Sequence, residues 1–372
     1  WLPLMAGSVL NCIVGGRGQR SSVYMKPSND AYLGFVVAVL QGFTRGLEAL
    51  HSKGIFHRDL KLENILLSRL PTVGGFGKED VKIADLGYAL CPENRHENTS
   101  DMPSTFPYTP PELVELRAER FNLTQQLLNK CIEYVTSVSM TTTSTTSPTS
   151  ATSATSGTST GPGAGLTTAA ESLRTLAKKH AADKTSDERD RLRDNQAIDE
   201  ARKLFGRLPD VALVGRFPIP GCLPGCPPGC LPGCLPDFPL EFQRMHTSTF
   251  AAWTEKTKTL DWACLDTYSA AITMWKLLHE DADPYPNRCR KGDANLKFAL
   301  ALKSYLRPKL VERDTDVPKS LWSLYEGLFK GGVLADAWAH RMEDRLSAAA
   351  LRSTIDGIIS SLPQPPGDAA ET

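Results

Sequence analysis

The run His57-Arg58-Asp59-Leu60-Lys61-Leu62-Glu63-Asn64 holds the most chemically specific spacing in the sequence. Asp59 offers a carboxylate that can orient a hydroxyl group, Lys61 offers a cation for a moving phosphate, and Asn64 offers an oxygen ligand for Mg²⁺. These are groups that phosphoryl transfer requires. Five fixed positions at this spacing arise by chance on the order of once in a few million frames, so the pattern is a strong signal.

This run resembles the catalytic loop of eukaryotic protein kinases, His-Arg-Asp-Leu-Lys-x-x-Asn. Further along, Asp85-Leu86-Gly87 resembles the Asp-Phe-Gly motif of the same family, with Leu in place of Phe. Lys61 is the form seen in serine/threonine kinases. The resemblance implies an enzyme that transfers the γ-phosphate of ATP to Ser or Thr hydroxyls of a protein substrate, with Mg²⁺ as the metal.

The resemblance gives each motif residue an expected role. Asp59 would accept the hydroxyl proton, and Lys61 would neutralise the γ-phosphate. Asn64 and Asp85 would hold Mg²⁺, which bridges the phosphates. We expect a structural role for Gly87, the last residue of its motif.

The two residues that precede Asp59, His57 and Arg58, are expected to support it. His57 is expected to pack and to form hydrogen bonds rather than to catalyse. Arg58 indicates control by phosphorylation of the activation segment, because a guanidinium group pairs well with a phosphate. The candidate acceptors are Thr99, Ser100 and Ser104.

The segment from Thr105 to Glu112 resembles the end of a kinase activation segment, Thr-x-x-Tyr-x-Ala-Pro-Glu, with Pro110 in place of Ala. The resemblance implies that Thr105 hydrogen-bonds to the catalytic Asp and Lys, and that Glu112 pairs with Arg345. Asp266 begins a pattern that resembles the central helix of the kinase large lobe, and it would hold the backbone of the catalytic loop.

The sequence predicts a mainly α fold with a short β-hairpin. One apolar face predicts a helix over 31–51, and apolar runs at 65–67 and 81–84 flank a Gly-rich turn as a hairpin would. By resemblance, this is the large (C-terminal) lobe of a protein kinase, with the hinge in 1–14. The expected adenine contacts are Leu4, Met5 and Leu66.

A long insertion is expected to interrupt the lobe. We expect the hinge, catalytic loop and activation segment in 1–114, a low-complexity and mostly disordered insertion in 115–257, the remaining helices in 258–360 and a disordered tail in 361–372. Thr, Ser, Gly, Pro and Ala dominate 141–165, a composition that cannot bury a core.

Other parts of the insertion carry weaker signals. A helix is predicted over 123–138, and the charged residues 171–208, with apolar residues at helical spacing, predict an exposed helix. Four cysteines repeat at a uniform spacing of four between Cys222 and Cys234. Zinc sites space their cysteine pairs differently, so low-complexity sequence is the preferred interpretation.

Composition excludes some partners. Forty-two basic residues balance forty-two acidic residues, so no net charge favours nucleic acid or an anionic membrane. The longest apolar run, 32–43, is too short to cross a bilayer, so no membrane span is expected. Five scattered cysteines fit an intracellular protein.

Low-complexity insertion into a split lobe also resembles kinases of apicomplexan parasites, including their secreted rhoptry kinases.

Three functions stay open. No strand Lys paired with a helix Glu precedes His57, so this chain alone is expected to bind nucleotide poorly and to be inactive. It is then the large lobe of a serine/threonine kinase, a pseudokinase or docking scaffold, or a small-molecule kinase. The segment 105–112 argues against the last, because it resembles a protein-substrate platform. The kinase lobe is favoured, because a scaffold has no chemical need to keep all four of the groups expected to act on phosphate and metal. These are Asp59, Lys61, Asn64 and Asp85.

Overall fold

The computed structural model describes residues 5–14, 30–71, 75–93, 104–144, 162–182, 188–206, 208, 240–285, 308, 321–330 and 332–362. The chain divides into two compact units, Trp1–Glu115 with Thr259–Thr372, and Leu116–Lys258. The sequence predictions that lie outside the described residues concern Leu4, Thr99, Ser100, residues 145–161 of the low-complexity stretch, the cysteine repeat and most of the tail.

Most described residues are helical, and the strands are short. In chain order the elements are β1 (Gly7–Ser8), α1 (Val9–Ile13), α2 (Asp30–His51), β2 (Ile65–Leu67), β3 (Val81–Ile83), α3 (Pro111–Ser144), α4 (Pro162–Ala182), α5 (Glu188–Gly206), α6 (Leu240–Lys258), α7 (Trp262–Leu278), α8 (Trp322–Tyr325), α9 (Val333–Ala337) and α10 (Ala348–Ser360). Single 3₁₀ turns lie at Leu62–Asn64, Lys78–Asp80, Leu86–Tyr88 and Met342–Asp344, and a π-helical turn at Glu326–Lys330.

The three strands form one antiparallel sheet in the order β1-β2-β3. β2 and β3 pair as the predicted hairpin. β1 adds a third strand, with Gly7 opposite Leu67. Ser8 also caps α1, since its hydroxyl accepts a hydrogen bond from the backbone N–H of Asn11 at 3.3 Å.

α2 is a core helix of the first unit, and it begins one residue before the predicted start. Its buried face carries Phe35, Val36, Val39, Leu40, Phe43 and Leu47. By length and composition the stretch Tyr32–His51 could also cross a membrane, and half of its most apolar window is buried inside the protein. The helix is followed by Gly54, whose φ of 69° is the left-handed conformation that a glycine stop allows.

A glycine lets α2 approach the hairpin closely. A Cβ at Gly42 would lie 2.5 Å from the carbonyl oxygen of Lys78 and 2.6 Å from the Cβ of Val81. Real Cβ atoms do not approach other heavy atoms so closely, and one neighbour is backbone. The absence of a side chain at Gly42 is therefore a requirement for the packing that brings β3, and the residues after it, against α2.

We predict that Gly42→Ala destabilises the chain by about 1–3 kcal/mol, because an added methyl group must push α2 away from the hairpin. Denaturant unfolding of the full chain measures this loss. Gly34→Ala is the matched control in the same helix, since no heavy atom lies within 4 Å of its Cβ position. Alanine is the better helix former, so the control should be neutral or more stable by up to about 1 kcal/mol. Equal stability of the two variants would contradict the close approach.

α7 lies at the centre of the first unit. Every residue from Leu265 to Leu278 is buried, including the charged Asp266 and Lys276. The side chain of Asp261 caps the helix. It accepts hydrogen bonds from the backbone N–H groups of Ala263 at 3.0 Å and Cys264 at 3.3 Å. A helix buried all round must satisfy its polar groups inside the protein, and these groups create the anchors of the candidate site.

The described part of the second unit is helical, in a stretch where the sequence predicted a mostly disordered insertion. α4, α5, α6 and the residues of α3 beyond Glu115 pack around a core of their own. Its members include Leu127, Leu128, Cys131, Val135, Leu173, Ala197, Ala201, Phe205, Phe242, Phe250 and Trp253. The predicted exposed helix in 171–208 is two helices, α4 and α5, with buried faces.

The physical reason is that charge on one face does not prevent burial of the other. Ala197, Ala201 and Phe205 repeat every four residues along α5, and all three are at most 3% exposed. Asp199 and Lys203 lie between them and are exposed. The apolar stripe packs inside the unit while the charges remain in water.

Buried polar groups also join the helices of the second unit. His180 of α4 and Asp194 of α5 are both buried, with Nε2 and Oδ1 2.6 Å apart. Gln125 of α3 contacts the other ring nitrogen, and Phe121 stacks on the ring with centroids 4.7 Å apart. Each buried polar atom in this cluster therefore meets a partner, as a packed interior requires.

Candidate active site

A buried carboxylate fixes the backbone of the 57–64 loop. Asp266 of α7, 1% exposed, accepts hydrogen bonds from the backbone N–H groups of His57 at 2.6 Å and Arg58 at 2.8 Å. It also lies 3.1 Å from Nε2 of His51, at the end of α2. The sequence predicted that Asp266 holds this loop. The structure adds His51, which no motif indicated.

Three side chains predicted to be catalytic meet at the exit of this loop. Thr105 Oγ1 donates a hydrogen bond to Asp59 Oδ1 at 2.8 Å. Lys61 Nζ donates to Asp59 Oδ2 at 2.6 Å and to Thr105 Oγ1 at 3.1 Å. Each of the three therefore contacts the other two, although Thr105 is 46 residues from Asp59 in the sequence.

The charge of Lys61 is stabilised by this cluster. Partial burial opposes the charged form, but the hydrogen bond and negative charge of Asp59, with Glu63 and Asp85 further away, outweigh burial and raise the pKa of Lys61. The ammonium group therefore stays protonated at neutral pH. It is a cation held beside a carboxylate, which is suited to neutralising a phosphate that enters the site.

His57 links the loop to the residues after β3. Its Nε2–H donates to the carbonyl oxygen of Ala84 at 2.8 Å, and its Nδ1 accepts from the backbone N–H of Asp59 at 3.3 Å. Both ring nitrogens of this buried side chain are thus engaged with backbone. This arrangement suits a structural role and leaves neither nitrogen directed at a substrate.

Asn64 and Asp85 lie at adjacent ends of the hairpin. Asn64 precedes β2 and Asp85 follows β3, and the N–H of Ala84 donates to the carbonyl oxygen of Asn64 at 2.9 Å. The side-chain amide nitrogen of Asn64 donates to the carbonyl oxygen of Asp59 at 2.9 Å, which fixes the amide. Asp85 has a φ of 63°, a left-handed conformation that is uncommon for residues other than glycine.

These residues fit Mg²⁺. Mg²⁺ binds one or two protein oxygens and takes its remaining ligands from water and phosphate, and an oriented amide beside the exposed carboxylate of Asp85 is such a pair. No group of three or more His, Cys, Asp or Glu side chains arranged for a metal is found among the described residues. A metal here would therefore depend on a phosphate ligand for tight binding.

The motif that follows Asp85 lies at the surface. Leu86, which stands in place of Phe in the motif, is 48% exposed, and Gly87 is exposed as well. Leu86 begins a single 3₁₀ turn, Leu86–Tyr88, that follows β3. Of the expected adenine contacts, Met5 and Leu66 are both half-buried, beside and within the paired strands.

The segment 104–112 is held against α7. Ser269 donates a hydrogen bond to the carbonyl oxygen of Tyr108 at 2.9 Å. Lys276 lies 5.6 Å from the centre of the Tyr108 ring and forms an ion pair with Asp281 at 2.7 Å. Burial, together with nearby acidic groups, raises the pKa of Tyr108 well above its usual range. Sequence reasoning missed Lys276, because a lone Lys in an apolar helix has no distinctive spacing.

Ser104, one of the predicted phosphorylation sites, is buried and poorly accessible to a kinase. Ser104 is only 9% exposed, and its hydroxyl donates to Oγ1 of Thr109 at 2.8 Å. Arg58, expected to receive the phosphate, is also buried, and its guanidinium carbon lies 4.9 Å from the centre of the Trp262 ring. In the described structure the Arg58 guanidinium contacts an aromatic ring.

The predicted ion pair between Glu112 and Arg345 is present. Arg345 Nη2 lies 2.7 Å from Glu112 Oε1, between residues 233 apart in the sequence. Arg345 also donates from Nε to the carbonyl oxygen of Ala339 at 3.0 Å, and its guanidinium faces the ring of Tyr268 at 5.0 Å. The Arg345 side chain is fully buried and that of Glu112 is 14% exposed. This pair connects the segment 104–112 to the residues before α10.

We predict that Arg345→Met destabilises the chain by roughly 3–5 kcal/mol, because it leaves the Glu112 carboxylate largely buried without its cation. Denaturant unfolding measures the loss. Arg352→Met is the control, since Arg352 pairs with Glu48 where the two side chains are 38% and 33% exposed. An exposed pair contributes at most about 1 kcal/mol. Similar losses for both variants would show that Arg345 is not a buried anchor.

Comparison with known proteins agrees with this geometry. Residues 33–126 match the family model of the protein kinase domain. The matched stretch contains most of α2, the 57–64 loop, the hairpin and the segment 104–112. The match supports the eukaryotic protein kinase superfamily.

Individual relatives match over short stretches of serine/threonine kinases. The chain is 36% identical over 81 residues to the serine/threonine-protein kinase ste20 of Aspergillus oryzae, covering 22% of this chain and 9% of that protein. It is 49% identical over 53 residues to the human testis-specific serine/threonine-protein kinase 4, covering 14% of each. It is 30% identical over 118 residues to a probable serine/threonine-protein kinase MRK1 homolog of Encephalitozoon cuniculi, covering 32% of this chain and 35% of that protein. The chain thus spans about a third or less of each of these relatives.

Proposed function

We propose that this chain is the catalytic large lobe of a serine/threonine protein kinase, which transfers the γ-phosphate of ATP to a protein hydroxyl. The observation that carries the proposal is the mutual contact of Asp59, Lys61 and Thr105. A carboxylate held by a hydroxyl donor and an ammonium group can orient an incoming Ser or Thr hydroxyl and accept its proton, while the ammonium group faces the phosphate.

The metal site supports the same proposal. Mg²⁺, when bound with ATP, would supply positive charge that bridges the phosphates. Asn64 and Asp85 are the residues that would hold it. By the same likeness to a kinase hinge, Leu4, Met5 and Leu66 would contact the adenine ring. The amide of Asn64 is already oriented by its hydrogen bond to the Asp59 carbonyl oxygen, so Asn64 ties the metal position to the base.

We propose the following organisation for the lobe. It consists of residues 1–114 and 258–360, and residues 115–257 are an insertion whose described part is helical. Glu112 and Arg345 would be the contact that joins the segments on either side of it. An apicomplexan or rhoptry-kinase-like origin stays a prediction.

A docking scaffold is the second candidate function. The exposure of Leu86 and of Asp85 beside it favours this alternative, because an exposed large apolar side chain is a surface that a partner protein can cover. A scaffold has no chemical need for the Asp59, Lys61 and Thr105 cluster, so the kinase remains the preferred function.

We predict that Asp59→Asn lowers phosphate transfer by about 10²–10⁴-fold, because an amide cannot accept the hydroxyl proton. Transfer from labelled ATP to a generic protein substrate, with Mg²⁺ present and a kinase small lobe added to the chain, measures the rate. Asp336→Asn, at an exposed position in α9, is the matched control and should transfer phosphate as the unmodified chain does.

Two outcomes would contradict the proposed function. Equal transfer by Asp59→Asn and the control would exclude Asp59 as the base. A folded chain that neither transfers phosphate nor binds ATP with Mg²⁺, alone or with added kinase small lobe, would favour the scaffold.

A further inference from the structure

Two side chains on one face of α7 hold the two ends of Arg58. Asp266 Oδ1 accepts a hydrogen bond from the Arg58 backbone N–H at 2.8 Å. Trp262 lies four residues before Asp266, one helical turn away. The centre of its ring is 4.9 Å from the guanidinium carbon of Arg58. Arg58 is 5% exposed and Trp262 is 6% exposed. The stack is therefore shielded from water, where cation–π attraction is strongest.

The backbone of Arg58 needs such support. Its φ is 70°, in the left-handed region that residues with a Cβ rarely occupy. A conformation of this kind persists only where surrounding contacts hold it. Asp266 fixes the peptide before and at this residue, and Trp262 fixes the far end of the side chain. Together they hold Arg58 in an uncommon conformation immediately before Asp59.

This position matters for Asp59. A rotation of the Arg58 backbone towards a relaxed conformation would turn the next residue, and the Asp59 carboxylate would lose its present distances of 2.8 Å to Thr105 and 2.6 Å to Lys61. The geometry of the base is thus connected to the ring of Trp262 through one residue. Nothing in the motifs of the sequence pointed to Trp262.

We propose that Trp262 is a positioning residue, whose ring holds the Arg58 guanidinium and thereby keeps Asp59 directed at Thr105 and Lys61. The proposal rests on the proposed function only for its effect on phosphate transfer. A planar guanidinium stacks on an indole ring in a way that an ammonium group does not reproduce. The side chains at both positions are therefore specific in chemistry as well as in size.

The test measures backbone hydrogen exchange of the peptide that spans residues 56–61, in the full chain. Trp262→Leu keeps an apolar side chain but removes the ring, and we expect about tenfold faster exchange of the Arg58 and Asp59 amides. Trp262→Phe keeps a ring, and its exchange should stay within about threefold of the unmodified chain. Arg58→Lys keeps the positive charge but removes the planar guanidinium group, so its exchange should be as fast as that of Trp262→Leu.

Trp322→Leu is the matched control. It removes an indole ring from the same unit, where Trp322 stacks on Tyr325 instead of Arg58. Exchange of the 56–61 peptide should not change in this variant. Equal exchange in Trp262→Leu and Trp322→Leu would overturn the proposal. If Trp262→Leu does not fold, Trp262→Phe decides, because fast exchange in a folded Phe variant would also overturn it.

The exchange measurement separates this inference from the proposed function. If exchange responds as expected and the chain transfers phosphate, the turnover number should fall in Trp262→Leu and recover in Trp262→Phe, with the KM for peptide substrate little changed. If exchange responds but no variant transfers phosphate, the positioning role stands and the proposed function fails.

Discussion

The first unit depends on the Asp266 carboxylate, which accepts hydrogen bonds from two backbone N–H groups. A buried carboxylate is costly unless hydrogen bonds replace the water that it has lost. Here His57 and Arg58 supply those hydrogen bonds, and each of their N–H groups would otherwise lie buried near the core. The same contact joins the central helix to the loop that carries Asp59. Stability and the geometry of the candidate site therefore share one interaction.

Much of the first unit could be predicted from the sequence. The apolar face of α2, the hairpin and the residues of the 57–64 loop follow from local spacing and from resemblance to a family. The Glu112 and Arg345 pair was predicted from resemblance alone, since charge pairs so far apart have no local signal. Trp262 and Lys276 could not be predicted, because their partners are set by how α7 lies against the loop and the segment 104–112, which is a property of tertiary packing.

The second unit shows the opposite limit. Its low-complexity stretch lies mostly outside the described residues, but the charged residues 171–208, with apolar residues at helical spacing, were predicted to form an exposed helix. A single helix with a weak apolar stripe is indeed unstable alone. Four such helices can bury their stripes against one another, as Phe205 and Phe242 do with ring centroids 5.5 Å apart. The information that decides between disorder and packing lies in the combination of helices, which no single window contains.

The distance in sequence between the 57–64 loop and its anchor affects how the chain is made. Asp266 follows Arg58 by 208 residues, so at about 5–20 residues per second the loop leaves the ribosome roughly 10–40 s before its anchor exists. During that interval the N–H groups of His57 and Arg58 must be solvated or held by other partners. The second unit, which has a core of its own, can complete its folding in this time. Chaperones that bind exposed apolar segments would therefore meet the α2 and hairpin region of the nascent chain for far longer than they would meet the last helices.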